Sequence, residues 1–252
     1  MELEFDLENP FPPSDQNLPS MLFEIETDHM PLQSYTQTLL LDSADSHMIS
    51  TRRREAISSI LRLPRKDDDP FVPYLAINYM DRFVSSQRIQ IRKLWMLKLA
   101  AVSCALLAFK MLRPDCAVPV PHLQEDGDYI FDSFTIKRME VIILEALQWR
   151  MRSINPFSFL NYYISLFEFD GRPSIQALKH RATEIILKSQ NEIKLLGFKP
   201  SVICASSLLC SAQELFPLQF TCFRNAISTC SYVNEEDLSN CYNVMQEAGI
   251  ES

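Results

Sequence analysis

A chain of 252 residues, 47% hydrophobic and 22% charged, has the material for one large domain or two small ones and the balance of an ordinary globular protein. Its 4 glycines, where average usage of about 7% would give roughly 18, exclude a glycine-rich phosphate loop and disfavour a turn-rich all-β fold. A formal charge of −8, from 24 basic and 32 acidic side chains, disfavours nucleic acid, whose binding is driven by phosphate neutralisation.

Residues 1–50 hold five prolines, many acids and neither Lys nor Arg. Apolar residues come in short bursts, Met21-Leu22-Phe23 and Leu39-Leu40-Leu41, without a sustained period. This composition predicts a disordered acidic arm with one helical turn near Leu39. From Thr51, a candidate cap, Ala56, Ile57, Ile60 and Leu61 mark a helix that Pro64 ends. Asp69-Pro70 opens a second helix, with Leu75, Tyr79 and Phe83 at i, i+4 and i+8. The third, Ile91 to Leu112, has no charge on any face between Leu99 and Phe109, so other helices must surround it. That run of eleven residues is short of the roughly 20 that a membrane span needs. A shorter segment around Leu123–Phe131 follows. Thr135 then opens a helix with Ile136, Met139, Ile142, Ile143, Ala146 and Leu147 on one face.

Asn155-Pro156 is another cap-plus-proline start, for Phe157–Phe167. Helices over Ile175–Leu196, Val202–Ala212, Phe220–Cys230 and Leu238–Met245 complete the chain, the last behind the acidic cap Asn234-Glu235-Glu236-Asp237. Val202–Ala212 (VICASSLLCSA) mirrors Leu99–Phe109 (LAAVSCALLAF), each being the third helix of five and dressed in small residues. The expected fold is therefore all-α, with an arm over 1–50 and two copies of one five-helix unit over 51–153 and 154–252.

The 7 cysteines form no C-x-x-C pair and lie mostly in apolar helical context, which points to a reducing compartment, cytosol or nucleus. The acidic, proline-bearing N-terminus does not read as a signal peptide. His29, His47, His122 and His180 are scattered, with no metal or triad spacing. Neither catalysis, a metal nor a cofactor is expected.

Tyr74-Leu75-Ala76-Ile77-Asn78-Tyr79-Met80-Asp81-Arg82-Phe83 resembles the cyclin-box signature, as does Leu94 to Cys104 running on to Lys110. Thr135 to Glu140, and Leu147-Gln148-Trp149 through Asn155-Pro156-Phe157-Ser158-Phe159, are similar to the D-type cyclins of plants. The resemblance covers 52 to about 248. It implies two tandem cyclin folds and a regulatory subunit that activates a cyclin-dependent kinase in cell division, working in the nucleus and also the cytoplasm. The implied partners are the kinase catalytic subunit and kinase inhibitor proteins, with no nucleic acid and no membrane. In the family an arginine and an aspartate tie the first two helices together; they fall at Arg53, within the run Arg52-Arg53-Arg54, and at Asp81. The kinase-binding set falls at Leu99, Lys110 and Glu140, the last two expected to be at least partly exposed.

Three departures stand out. Met111-Leu112-Arg113 replaces the usual pair of glutamates after the lysine. Ser59 stands where many cyclins carry a tryptophan flooring a groove for Arg-x-Leu substrates; with Glu55 and Ala56 beside it and Lys98 across, that groove is expected to be poor. The Leu-x-Cys-x-Glu motif for retinoblastoma-type proteins is missing, which suits a short subgroup of the D-type family. Residues 1–50 are then expected to be dispensable for kinase binding. The alternative reading is a cyclin-fold scaffold or transcription-related protein that activates no kinase.

Overall fold

A computed structural model describes residues 6–10, 18–62, 70–87, 93–113, 130–167 and 172–250. Among them the regular structure is entirely helical: α1 Leu18–Ile25, α2 Gln33–Leu40, α3 Ala44–Arg62, α4 Phe71–Gln87, α5 Leu94–Leu112, α6 Ser133–Ala146, α7 Leu160–Ser165, α8 Arg172–Ser189, α9 Pro200–Leu215, α10 Phe220–Ser228 and α11 Glu235–Glu247. The expected segment around Leu123–Phe131 lies outside the described residues up to Tyr129. The described chain divides into two units, one built from Pro31–Ser153 and the other from Asp6–Met30 with Ile154 onward.

In the first unit α5 packs against α3, α4 and α6, and every residue from Leu99 to Ala108 is buried. By length and composition α5 could cross a membrane. Here its apolar faces are satisfied by neighbouring helices, as its uncharged middle requires. In the second unit α9 has the same place, against α8, α10 and α11. Two of its buried serines return their hydroxyls to the helix itself, Ser207 to the Ile203 carbonyl and Ser211 to the Ser207 carbonyl, both at 2.8 Å. This back-bonding lets small polar residues sit in a core without an orphaned hydroxyl. Ile185, Leu195, Val202, Cys210, Cys241 and Met245 close the core around it.

Several boundaries differ from those read in the sequence, each for a local reason. Helix α3 begins at Ala44 rather than Thr51, because the Ser43 hydroxyl accepts the Ser46 amide and starts the helix earlier. Helix α6 is capped by Asp132, whose carboxylate accepts the Phe134 and Thr135 amides at 2.9 Å, so Thr135 lies inside the first turn. The long helix expected over Ile175–Leu196 stops at Ser189. A 3-10 turn over Ile193–Gly197 follows it, capped by Glu192. The Asn155 and Asn234 caps form as expected.

The largest correction concerns residues 1–50, expected to be a disordered arm. From Leu18 onward they are largely helical, and many of their side chains are packed. Phe23 of α1 stacks on Tyr232 at 4.4 Å and lies 4.8 Å from Phe159, while Leu7 is buried and its carbonyl accepts the Ser158 hydroxyl. Tyr35 and Leu39 of α2 are buried in the first unit. The apolar bursts are too short to show a helical period, and they gain their order by burial against the units rather than from propensity. Removing residues 1–50 would strip these side chains from both units and expose the surfaces they cover.

Helix α9 shows what the arm contributes. Its N-cap, Lys199, offers no acceptor. Glu26 supplies one from 175 residues away, taking the Ser201 amide at 2.8 Å and the Ser201 hydroxyl at 2.9 Å. A carboxylate at a helix N-terminus is favoured by the unpaired amides there. Yet burial raises the Glu26 pKa above its ordinary 4.5, against the lowering by Ser201 and Lys199. An acid whose folded pKa is raised stabilises most below its unfolded value, and that contribution is lost as pH rises through the folded pKa. Urea unfolding of Glu26→Gln should therefore lack the part of the stability loss that the native chain shows on going up from about pH 4.5. Parallel curves for the two proteins would contradict it.

Candidate functional site

Helices α3 and α4 are tied by one bidentate ion pair. Arg53 Nε donates to Asp81 Oδ1 at 2.9 Å and Nη2 donates to Oδ2 at 2.8 Å, with both side chains under 5% exposed. The three-arginine run resolves by face: Arg53 points inward, Arg52 pairs with Glu55 at 3.5 Å, and Arg54 is exposed. The hydroxyl of Tyr35 in α2 donates to Asp81 Oδ1 at 3.3 Å. Burial, with the Asp81 charge second, raises the Tyr35 pKa well above 10, so the phenol stays protonated and remains a donor.

The neighbours of Asp81 on α4 hold a different segment. Buried Arg82 donates to the Arg150 carbonyl at 3.1 Å and the Ser153 hydroxyl at 2.7 Å, and the Tyr79 hydroxyl donates to the Met151 carbonyl at 2.5 Å. These bonds clamp the chain leaving α6, where Gln148 and Trp149 adopt left-handed φ of 53° and 59°. Two consecutive non-glycine residues there cost about 1–2 kcal/mol each and persist only under such restraint. The product is a fixed Trp149 with 67% of its surface exposed.

At the far end of α5, Lys110 Nζ meets both carboxylate oxygens of Glu140 on α6, at 2.6 and 2.8 Å. The pair is lopsided: the Lys110 side chain is 54% exposed and that of Glu140 only 8%. Lys110 is thus exposed as expected. Glu140 is not, because it lies on the α5-facing side of α6 between Met139 and Ile143. Leu99, read as part of the kinase-binding set, is 3% exposed and belongs to the core. Phe134, Val141 and Ile142 lie on the exposed side of α6, with the Arg138 guanidinium 5.8 Å from the Phe134 ring. Ile142, read as core, is at the surface.

An exposed ammonium held by a buried carboxylate, and bare apolar side chains on the exposed side of the same helix that carries the carboxylate, are both chemistry for docking a protein. Among the described residues no group of three or more His, Cys, Asp or Glu gathers as a metal site. Sequence reasoning missed Tyr35, Tyr79 and Arg82. The last two lie within the quoted signature, but nothing in a helical period tells a hydroxyl's or guanidinium's partner. Tyr35 was hidden in the segment read as disordered.

Comparison with known proteins also divides the chain at residue 153. A model described as the cyclin N-terminal domain matches residues 18–152, and one described as the cyclin C-terminal domain matches 154–251. The chain is 42% identical to a protein named putative cyclin-D6-1 from Arabidopsis thaliana, over 98% of this chain and 84% of that one. It is 37% identical to cyclin-D6-1 of Oryza sativa subsp. japonica, over 98% and 75% of the two chains. The solved structure of a viral cyclin from herpesvirus saimiri shares the fold at a TM-score of 0.61 and 19% identity, covering 93% of this chain and 99% of that one.

Proposed function

The chain belongs to the cyclin family, with plant D-type cyclins among its relatives, and from that membership we propose that it binds and activates a cyclin-dependent serine/threonine kinase to promote cell division. Cyclins are regulatory subunits rather than enzymes. The observation that carries the reading is the Lys110–Glu140 edge. Buried Glu140 fixes the Lys110 ammonium, which keeps protons free to donate to carbonyls at the end of a partner helix. Phe134, Val141 and Ile142 supply exposed apolar area on the same helix as Glu140. A kinase helix seated there would be held in its active position.

Kinase inhibitor proteins are proposed as further partners of the complex, and the nucleus, with the cytoplasm, as its place of work. A retinoblastoma-type protein would have to be reached without Leu-x-Cys-x-Glu, which the sequence does not contain. The test is to titrate the purified chain into a plant cyclin-dependent kinase catalytic subunit and follow histone phosphorylation. We expect no phosphorylation by the chain alone and a saturable rise on mixing. A stable complex with no gain in phosphorylation would establish the scaffold reading instead.

A further inference from the structure

The groove between α3 and the start of α5 is present, and most of the side chains that line it are charged or hydroxylic. It encloses about 460 Å³, lined by Arg54, Glu55, Ser58, Ser59, Arg62 and Lys98 with Thr51 and Leu94 at its ends. Three cations face one anion in a protein whose net charge is −8. The one anion, Glu55, pairs with Arg52, which is not part of the lining. Among the described residues neither Arg54 nor Arg62 has an ion-pair partner. Ser59 turns its hydroxyl back to the Glu55 carbonyl at 3.0 Å, so no aromatic ring stands at this point of the groove.

We infer that this groove docks an extended Asp/Glu-rich segment of a protein partner. The spacing of the charges decides the shape of the occupant. Arg54 and Arg62 are eight residues apart on one helix, about 12 Å along its axis at 1.5 Å per residue. Guanidiniums distributed along a groove suit carboxylates distributed along a strand, which covers that length in about four residues. A single phosphate would need them to converge. The excess of positive charge on an otherwise acidic surface also steers an acidic segment to this face rather than elsewhere. This inference does not depend on kinase binding, since the groove is formed by the chain alone.

The test is fluorescence anisotropy of the full chain with a fluorescein-labelled hexapeptide of alternating glutamate and serine. The double variant R54E/R62E should bind it at least about tenfold more weakly while melting normally, since both side chains are exposed. The charge-matched variant K188E/K194E, in the other unit, should bind as the native chain does. Raising the salt from 50 to 200 mM should weaken native binding and leave the residual binding of R54E/R62E nearly unchanged. Equal binding by native chain and R54E/R62E would overturn the inference, as would equal loss in K188E/K194E. So would tighter binding of a peptide bearing one phosphoserine and no other acid, or of an Arg-x-Leu peptide.

Discussion

Replacing Asp81 with alanine is expected to destabilise the first unit by about 3–5 kcal/mol, because it leaves the Arg53 guanidinium buried and unpaired. That is a large share of the roughly 5–15 kcal/mol by which a domain is stable. At about 2–8 °C per kcal/mol, the melting temperature should fall by about 6 °C or more. Arg53→Ala should cost a similar amount, since both partners are under 5% exposed and bonded at two points. The double variant R53M/D81L should recover much of the loss, because two apolar side chains leave no uncompensated charge. Tyr35→Phe removes one 3.3 Å bond to the same carboxylate and should cost only about 1 kcal/mol. A D81A chain that melts like the native one yet fails to bind a kinase would make Asp81 a contact residue.

Lys110→Ala and Glu140→Ala should show the reverse pattern, with a small effect on melting and a large one on kinase affinity. Within the free chain the pair has one partner 54% exposed, and pairs open to water are worth about 0–1 kcal/mol. Once a partner helix covers the edge, the ammonium is desolvated, and loss of a bonded charge there costs about 2–5 kcal/mol. That is roughly 30- to several-thousandfold in Kd. Glu140→Ala should weaken binding although Glu140 itself is buried, because it frees the Lys110 side chain to move. Surface plasmon resonance against the kinase subunit, alongside melting curves, separates the two effects. Native affinity in both variants would remove this edge from the interface.

The all-helical pair of units, and the place of α5 and α9 at their centres, were legible in the sequence because an uncharged helix of small residues has one physical meaning. The Arg53–Asp81 tie was legible through resemblance alone. The run of three arginines offered three registers, and only packing shows which one faces α4. Glu140 was misread as exposed because a glutamate on an apolar face has two readings, and the choice turns on Lys110, 30 residues away. The helices of the first fifty residues were illegible for another reason. Short segments such as Leu18–Ile25 cannot be stable alone, so no local signal announces them. Glu26 shows the same limit, since a cap supplied across 175 residues leaves no spacing to read. That Ser59 stands in the α3–α5 groove was legible in the sequence, but the groove's excess of positive charge emerged only when Arg54, Arg62 and Lys98 were seen to line one cavity.

Hydrogen exchange of the full chain with and without a cyclin-dependent kinase catalytic subunit tests the kinase-binding surface most directly. Complex formation should slow amide exchange at the C-terminal end of α5, around Phe109–Arg113, and along α6 from Ser133 to Ala146, with lesser change in α9 and α11. Exchange unchanged in α5 and α6, with protection appearing elsewhere on the chain, would contradict the assignment of the Lys110–Glu140 edge as the surface that engages the kinase.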